Sequence, residues 1–290
     1  MGGKLTPWQD ARIHVGAEAL TRGISVFEGI KGYWRHDGEQ LGLLALRRHF
    51  DRLQRSAWLQ HLPFSVEYEE FVDACRELVN ALKVPDLDLW IRPTVLSVEG
   101  HWGESTVSDL VITCYNQDKR RPEPIDVGVS TWQRANDAAL PARIKSAANY
   151  QVSRLARIEG RRQGFSDMVL LNSAGRVAEA TGSCILMVRD DKIISPPPYE
   201  GCLESITVEI VAALCLTLGV PFELRPVERT ELLAADAMCL AGTLSELTRV
   251  RRFENREFPS ESTLLRQLED AFWDAVRLRR PHDSVEITVV

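Results

Sequence analysis

One lysine and one glutamate, each among small residues, could do chemistry in this chain. The segment Ile144-Lys145-Ser146-Ala147-Ala148-Asn149-Tyr150 carries a single lysine, and a phenol follows it five places later. A lysine confined ahead of a predicted helix loses part of its preference for the charged form and becomes an amine nucleophile, as in Schiff-base chemistry. In Val177-Ala178-Glu179-Ala180-Thr181-Gly182, one glutamate stands where a predicted strand ends in a small-residue turn. Taken alone, the lysine segment is also typical of an ordinary lysine near a helix start.

Two small-residue turns and an arginine are candidates for binding a phosphate. Leu203-Glu204-Ser205-Ile206-Thr207 opens a predicted helix, whose free N–H groups and dipole favour an anion and to which Thr207 adds a hydroxyl. Ala241-Gly242-Thr243-Leu244-Ser245 follows a predicted strand and can present N–H groups to another face of the same anion. Arg52 can add a bidentate donor. Neither turn carries G-x-G-x-x-G or a P-loop, so a helix cap, a plain turn and a surface arginine remain the alternatives.

The composition limits the classes of function. The 290 residues are 44% apolar and 26% charged, which is ordinary for a globular chain with a substantial core. The net charge of −6, with scattered basic residues, argues against nucleic acid. No apolar run approaches a membrane span, and the start is not that of a signal peptide. The six cysteines form no C-x-x-C pair and no histidines have metal-ligand spacing, so we expect reduced thiols, a cytoplasmic protein and no metal.

Hydrophobic periodicity predicts the elements that must position these residues. In the first part of the chain we expect helices at 47–60 and from Ser65, the candidate N-cap, to about 84, with Phe71, Cys75, Leu78 and Leu82 buried. A turn at His36-Asp37-Gly38 suits a hairpin. The predicted strands of this part are 12–15, 24–33, 40–46, 89–97 and 110–115.

A polar stretch at 116–124 predicts a linker between two domains, 1–115 and 125–290. The second domain has predicted helices at 149–162, 206–218 and 262–278. Its predicted strands are 125–131, 168–172, 183–189, 192–195 and 237–241. Strands and helices mix without strict alternation and without an internal repeat. The chain is therefore predicted to be of the α+β or α/β class, with two α+β domains over a doubly wound sheet.

In combination, these segments resemble the fold-type IV, or class IV, pyridoxal-phosphate aminotransferases, and most closely the branched-chain amino acid aminotransferases. The resemblance covers about Pro7 to Arg252, and its segments stand in the family's order. It implies a two-domain fold of the type found in D-amino acid aminotransferases. The segments that carry it are Val26–Lys31, His49–Leu53, Trp90–Pro93, Ile144–Tyr150, Val177–Gly182, Leu203–Thr207 and Ala241–Glu246.

The resemblance implies a role for each residue around pyridoxal 5'-phosphate. Lys145 would hold the cofactor aldehyde as an imine and then move the substrate's α-proton. Glu179 would keep the ring nitrogen protonated, Tyr150 would hydrogen-bond the phenolic oxygen, and Leu203 would pack on the ring. The phosphate would be held by Arg52, Ile206, Thr207 and Thr243. The substrate would meet Phe27, Tyr33, Trp90, Arg92 and the N–H groups of Thr243 and Leu244.

Several departures from the family's pattern concern the substrate. Arg22 stands where branched-chain enzymes usually have a tyrosine, and a guanidinium there suits an aliphatic pocket only if it points away or meets an anion. Trp90 replaces another tyrosine, two residues before Arg92. Glu204 replaces a glycine of the phosphate turn, so we expect it to turn outward. The loop at 116–124 is shorter than in the branched-chain enzymes and lacks their aromatic residues.

The resemblance thus implies a homodimeric transaminase that moves an amino group between an amino acid and a 2-oxo acid such as 2-oxoglutarate. Small-molecule substrates and a second copy of the chain are its expected partners. Three alternatives stay open at this stage. They are a D-amino acid or (R)-amine transaminase, a lyase similar to aminodeoxychorismate lyase, and a binding protein that kept the fold without activity.

Overall fold

The computed structural model describes residues 1–35 and 39–290, so the predicted turn at His36-Asp37-Gly38 lies outside the described residues. The chain divides into two units. Unit 1 comprises Met1–Lys119, Ile144–Ala148 and Glu286–Val290, and unit 2 comprises Arg120–Arg143 and Asn149–Val285. The predicted boundaries place 144–148 and 286–290 in the second domain. Both segments pack in unit 1 because hydrogen bonds tie them to its strands and helices.

The helices of the described residues are α1 (Glu18–Thr21), α2 (Leu46–Leu59), α3 (Tyr68–Leu82), α4 (Tyr150–Gln163), α5 (Ile206–Leu218), α6 (Arg229–Ala234) and α7 (Thr263–Val276). The first eight strands are β1 (Ser25–Phe27), β2 (Ile30–Arg35), β3 (Gln40–Leu44), β4 (Asp88–His101), β5 (Glu104–Gln117), β6 (Ile125–Gln133), β7 (Asp167–Leu171) and β8 (Val177–Ala180). The remaining strands are β9 (Cys184–Arg189), β10 (Lys192–Ser195), β11 (Phe222–Leu224), β12 (Ala237–Gly242), β13 (Glu246–Phe253), β14 (Arg256–Glu257) and β15 (Ile287–Val289).

Unit 1 is built on an antiparallel sheet in the order β1-β4-β2-β3-β15, with β5 also paired to β4. Strands β1 and β2 correspond to one predicted strand, 24–33, which is broken at Glu28 and Gly29. The two pieces pair with different parts of β4, with Phe27 opposite Thr94 and Ile30 opposite Ile91. Because Glu28 lies in this break, its side chain does not follow the alternation of faces that a continuous strand would impose.

Helices α2 and α3 contribute to the core of unit 1, which is lined by apolar side chains of the sheet. Helix α3 begins at Tyr68 after a capping box of Glu67 and Glu70, so Ser65 is not its N-cap. The predicted stripe is only partly correct, because Val79 is fully buried while Leu82, the last residue of the helix, is 44% exposed.

The predicted strand at 12–15 is absent from the described residues. There the Nδ1 atom of His14 accepts a hydrogen bond from the Gly16 N–H at 3.0 Å, a local turn that replaces strand pairing.

Unit 2 contains a mixed sheet in the order β11-β10-β9-β12-β13-β6-β7-β8, with β14 also paired to β13. Three pairs are parallel: β10 with β11, β13 with β6, and β6 with β7. The α+β architecture agrees with the sequence, but the sheet differs from a doubly wound one, which is mostly parallel. Antiparallel hairpins such as β9–β10 and β12–β13 interrupt the parallel order because short turns join them.

Local signals set the ends of helix α5. The hydroxyl of Ser205 accepts a hydrogen bond from the Val208 N–H at 3.3 Å and caps the helix. The helix ends at Gly219, whose φ of +69° lies in the left-handed region that glycine adopts without strain. Because Ser205 caps the helix, the turn at Leu203–Glu204 leads directly into its N-terminus.

Candidate active site

In unit 1, the lysine segment is held from two sides. The carbonyl oxygen of Lys145 accepts a hydrogen bond from the Phe27 N–H of β1 at 3.0 Å, and Val26 forms an antiparallel bridge with Ser146. From helix α2, the Ser56 hydroxyl accepts from the Lys145 N–H at 3.2 Å. The backbone around the amine is therefore anchored although it belongs to no helix or strand.

The half-buried side chain of Lys145 extends toward an aromatic ring. Its Nζ atom lies 5.2 Å from the centroid of the Phe27 ring. The guanidinium carbon of Arg92 lies 3.9 Å from the same centroid. Three residues of the predicted site thus come together in unit 1, and the Phe27 ring is a favourable contact for the Arg92 guanidinium.

A buried ionic network lies between β1 and helix α2. Glu28 Oε1 accepts a hydrogen bond from Arg52 Nε, Glu28 Oε2 accepts from Arg52 Nη2, and Oε2 also contacts His49 Nδ1, all at 2.7 Å. Burial alone raises the pKa of Glu28, but the charge and hydrogen bonds of Arg52 and His49 outweigh it and hold that pKa well below its ordinary value. The fork of Arg52 is thereby oriented by a carboxylate. Its predicted role at the phosphate stays a prediction.

His49 is the third member of this network, and its ring is buried beside the Glu28 carboxylate. Burial lowers the pKa of His49, and the positive charges of Arg52 and Lys145 lower it further, against the raising effect of Glu28. Glu28 and His49 lie in segments that carry the resemblance, but no sequence motif indicates a role for either residue. The position of Glu28 within an apolar predicted strand could have indicated a buried ion pair, because a charged residue is buried only when it is paired.

The other predicted substrate residues of unit 1 lie on the sheet. Trp90 and Arg92 are two residues apart on β4 and therefore share a face, with the guanidinium carbon 5.9 Å from the indole centroid. Trp90 also stacks on Tyr115 of β5, with the ring centroids 5.0 Å apart. Among the described residues, its buried Nε1 atom has no hydrogen-bond partner. Tyr33 is fully buried on β2, and the Lys31 amine lies 5.9 Å from its ring.

Arg22 lies in a different part of unit 1. Its Nη1 atom is 3.3 Å from Glu18 Oε1, and its guanidinium carbon is 4.4 Å from the ring centroid of Trp102. Trp102 lies in the turn between β4 and β5. Its backbone N–H donates a hydrogen bond to the same Glu18 carboxylate at 2.7 Å. Arg22 therefore meets an anion and an aromatic ring of its own unit. Its contact with substrate stays a prediction.

In unit 2, the carboxylate of Glu179 is fixed at both oxygens. Oε1 lies 3.2 Å from Arg134 Nε, and Oε2 accepts a hydrogen bond from the Leu203 N–H at 3.1 Å. The side chain is buried, and Glu179 is the next-to-last residue of β8, in agreement with its predicted place at the end of a strand. A carboxylate has about four acceptor positions, so these two contacts leave it able to accept a further N–H. Glu179 and Leu203, two predicted cofactor residues, are thus in direct contact.

The first predicted phosphate turn of unit 2 opens helix α5. Ile206 and Thr207 are buried in its first turn, where backbone N–H groups lack intrahelical acceptors. The Glu204 carboxylate, which replaces a glycine of the family pattern, is half-buried and lies 4.0 Å from Arg143 Nε. That arginine offsets the negative charge next to the turn, so the turn can still receive an anion.

The second turn connects β12 to β13. The Ser245 hydroxyl contacts the Ser183 hydroxyl at 2.5 Å, and the Ser245 carbonyl accepts from the Thr248 hydroxyl at 2.6 Å. A Cβ atom at Gly242 would lie 3.3 Å from the Gly182 carbonyl oxygen, a close approach that a glycine makes without displacing its neighbour. These contacts fix the loop that carries Thr243, which is half-buried, and Leu244, which is exposed.

Tyr150 is the first residue of helix α4 and is half-buried. The residue before it, Asn149, is buried and donates through Nδ2 to the Pro141 carbonyl oxygen at 3.1 Å. Within the ranges 1–35 and 39–290, no cluster of His, Cys, Asp and Glu side chains could hold a metal ion. The same residues contain no helix that is long and apolar enough to cross a membrane.

A held lysine in unit 1, and a fixed carboxylate with two hydroxyl-bearing turns in unit 2, are the parts that a pyridoxal-phosphate enzyme requires. The family model for amino-transferase class IV matches residues 25–253. A probable branched-chain-amino-acid aminotransferase of Aquifex aeolicus is 31% identical over 283 residues, which are 95% of this chain and 91% of that protein.

Solved structures agree with this match. The branched-chain aminotransferase of Thermoproteus uzoniensis, solved with norvaline, has a TM-score of 0.93 and 28% identity, and the match covers 99% of this chain and 97% of that one. The branched-chain amino acid aminotransferase of Thermobaculum terrenum in its pyridoxal-phosphate form has a TM-score of 0.90 and 31% identity, with 99% and 96% covered. The chain belongs to the class IV aminotransferase family. It is an aminotransferase, and its cofactor is pyridoxal 5'-phosphate.

The residues present fit this cofactor. The two occupied oxygens of Glu179 leave acceptor capacity for a ring N–H, and the N-terminus of helix α5 offers N–H groups to an anion. The amine of Lys145 is held in unit 1 by a backbone that bonds to β1 and α2.

Proposed function

We propose that this chain transfers amino groups between branched-chain or related aliphatic amino acids and a 2-oxo acid such as 2-oxoglutarate. The observation that carries the proposal is the anchored lysine segment, in which the backbone of Lys145 bonds both to Phe27 of β1 and to the hydroxyl of Ser56. The similarity to branched-chain enzymes over nearly the whole chain supports the choice of substrate class.

Each residue has a proposed task in the reaction. When bound, the cofactor supplies an aldehyde that exchanges amines and a ring that accepts electrons. Lys145 Nζ would hold the aldehyde, would then remove the proton from the α-carbon of the amino donor, and in the second half-reaction would supply a proton to the α-carbon of the acceptor. The Glu179 carboxylate holds a proton on the ring nitrogen, and the Tyr150 hydroxyl hydrogen-bonds the ring's phenolic oxygen. Leu203 packs against the ring.

The phosphate and substrate contacts are proposed by the same reasoning. Backbone N–H groups of Ile206 and Thr207, the hydroxyls of Thr207 and Thr243, and the guanidinium of Arg52 bind the phosphate. The N–H groups of Thr243 and Leu244 bind the substrate carboxylate. The remaining proposed substrate contacts are Phe27, Tyr33, Trp90 and Arg92, and the variant Arg22→Tyr tests whether Arg22 is a further contact.

We further propose that the chain acts as a homodimer in the cytoplasm. Large apolar side chains are exposed in unit 1, among them Trp8 at 71%, Val15 at 74% and Trp102 at 74%. Exposed apolar groups of this size favour an interface with another protein surface, and a second copy is the partner that symmetry makes most common. All six cysteines are free, which suits a reducing compartment. Light scattering of the purified protein measures the oligomeric state, and a monomeric mass at micromolar concentration would contradict the dimer.

The enzyme assignment is tested by replacing the lysine. Purified protein loaded with pyridoxal 5'-phosphate should show a visible absorbance band, and borohydride should fix the cofactor covalently to the peptide that contains Lys145. Lys145→Ala should lose covalent fixation and turnover, whereas Lys192→Ala, at an exposed strand position, should keep both. A Lys145→Ala variant with unchanged turnover and fixation would remove the proposal.

The substrate class needs a separate experiment. A panel of L-amino acids, D-amino acids and amines, each followed by the colour change of a half-reaction, ranks the donors. Leucine, isoleucine and valine should lead the panel, with 2-oxoglutarate as acceptor. Preference for D-amino acids or (R)-amines would contradict the proposed substrate class without affecting the assignment of Lys145.

A further inference from the structure

Arg134 is a buried cation that connects three segments of unit 2. It follows directly after β6, and its N–H donates to the Leu171 carbonyl oxygen of β7 at 2.9 Å. The side chain is only 6% exposed. Burying a guanidinium is costly unless it is fully paired. The partners of the Arg134 guanidinium therefore indicate its structural role.

The guanidinium contacts Glu179 and two backbone carbonyl groups. Its Nε atom lies 3.2 Å from Glu179 Oε1 and donates to the Gly201 carbonyl oxygen at 3.3 Å. Its Nη1 atom donates to the Asn149 carbonyl oxygen at 3.2 Å. Gly201 lies two residues before Leu203, and Asn149 immediately precedes Tyr150. One side chain therefore joins the segments that carry Glu179, Leu203 and Tyr150.

The backbone at Gly201 is in a conformation that favours glycine. Its φ is +95°, which a side chain would strain. From the turn that follows, the Leu203 N–H holds the second oxygen of Glu179. The planar fork of an arginine can bond several acceptors in fixed directions, which a lysine amine cannot do.

We propose that Arg134 is a positioning residue that orients the Glu179 carboxylate toward the cofactor's ring nitrogen. This inference rests on the proposed function and adds a residue to which neither the family resemblance nor the motif analysis gave a role. Arg134 does not touch the reacting atoms. It acts through Glu179 and through the two segments whose carbonyl groups it binds.

The electrostatic reason concerns where one shared proton resides. A proton between a carboxylate and a ring nitrogen can sit on either group. A negative charge on Glu179 would favour a proton on the ring nitrogen, and a guanidinium 3.2 Å from the carboxylate stabilises that negative charge. Removing the charge of Arg134 shifts the proton toward the carboxyl group and weakens the ring as an electron acceptor.

The experiment compares Arg134→Gln, which removes the charge, with Arg134→Lys, which keeps the charge but loses the fork. Arg225→Gln is the matched control, because Arg225 forms a comparable ion pair with Glu231 in unit 2, with contacts at 2.7 and 3.1 Å. For each variant we measure cofactor affinity by titration with pyridoxal 5'-phosphate, the visible band of the loaded protein against pH, kcat and KM, and the urea stability of the cofactor-free protein.

We expect Arg134→Gln to lower kcat at least tenfold with little change in KM, and to weaken cofactor binding. Its loaded form should show a visible band whose pH dependence differs from that of the wild type. Arg134→Lys should restore the pH dependence in part, and Arg225→Gln should match the wild type in kcat, affinity and spectrum. An unchanged spectrum and kcat in Arg134→Gln would overturn the inference and leave a purely structural ion pair.

Arg134→Lys carries the test if Arg134→Gln folds poorly, and a double-mutant cycle shows whether Arg134 acts through Glu179. In Glu179→Gln the carboxylate charge is absent, so adding Arg134→Gln should cost much less in kcat than it costs in the wild type. Equal costs in both backgrounds would contradict action through Glu179. If the wild type itself neither binds pyridoxal 5'-phosphate nor turns over, the proposed function fails, an outcome distinct from failure of this inference alone.

Discussion

Glu28 Oε1 and Arg52 Nε lie 2.7 Å apart in unit 1, with Glu28 completely buried and Arg52 only 6% exposed. The two residues are 24 positions apart in the chain, one beside a strand break and the other on helix α2. Their pairing gives the arginine a fixed orientation and gives the carboxylate the cation that its burial requires.

We expect Arg52→Gln to lower the free energy of unfolding by about 3–5 kcal/mol, because it leaves a buried carboxylate without its cation. Urea denaturation of the cofactor-free protein measures the change. The double variant Glu28→Gln with Arg52→Gln should recover a large part of the loss. Arg47→Gln, which breaks the exposed pair with Asp51, should cost only about 0.3–0.5 kcal/mol. Equal losses of unfolding free energy in Arg47→Gln and Arg52→Gln would contradict the expectation that the buried ion pair matters more than the exposed one.

The lowered pKa of the buried His49 predicts that the folded protein loses stability in mild acid. Its pKa is below the ordinary value of 6.5 in the folded protein, chiefly because the ring is buried. As the pH falls through 6.5, the unfolded chain binds a proton that the folded His49 does not, so the unfolded state gains stability. The free energy of unfolding should therefore fall between pH 7 and pH 5, by at most about 1.4 kcal/mol per pH unit for one proton.

The pH series has a matched pair of variants. His49→Gln should reduce this slope, and His61→Gln, at an exposed position, should leave it unchanged. The range above pH 5 is chosen because Glu28, whose folded pKa is lowered, loses its contribution only as the pH falls below 4.5. An identical slope in His49→Gln and the wild type would assign the acid loss to other groups.

Glu179→Gln separates cofactor attachment from turnover. The amide keeps the shape of the side chain but cannot hold a charge opposite a protonated ring nitrogen. We expect the cofactor to remain fixable to Lys145 by borohydride while kcat falls by roughly 10²-fold or more. Glu223→Gln, on an exposed strand, serves as the control. Near-normal turnover in Glu179→Gln would refute the proposed role of the carboxylate.

Arg22→Tyr tests whether the arginine faces the substrate. The guanidinium is bound to Glu18 and to the ring of Trp102 within unit 1, and these contacts account for its charge. We expect the ratio of kcat/KM for leucine over alanine to change by less than about twofold, and the free energy of unfolding to fall because the buried Glu18 carboxylate loses its cation. A tenfold gain for aliphatic donors would instead place Arg22 in the pocket.

Many features of the fold were predictable because they depend on neighbours in the chain. Helix α5 was predicted with its observed bounds, since Ser205 caps it and Gly219 ends it within one apolar stretch. The start of α3 was missed, because Glu67 and Glu70 form the capping box in place of Ser65. The break between β1 and β2 was also missed, since nothing local prevents residues 24–33 from forming one continuous strand.

The candidate site was predictable to the same extent. Lys145, Glu179 and the two hydroxyl-bearing turns stand in recognisable local segments, and the family matches agree with the resemblance that these segments carry. Their individual roles remain predictions. Arg134, Glu28 and His49 were missed because each acts through a partner at least 21 residues away, and sequence spacing does not show such pairs.

The sequence by itself determined the elements, the reactive residue types and the family, because propensity, capping and motif order are properties of short segments. Only the tertiary structure decided that the lysine segment and the last strand pack in unit 1, and that Arg134 binds Glu179. The physical reason is that strand partners and buried ion pairs are chosen by register and burial over the whole fold. A slip of one residue in β8 would turn Glu179 to the opposite face of the sheet, away from Arg134.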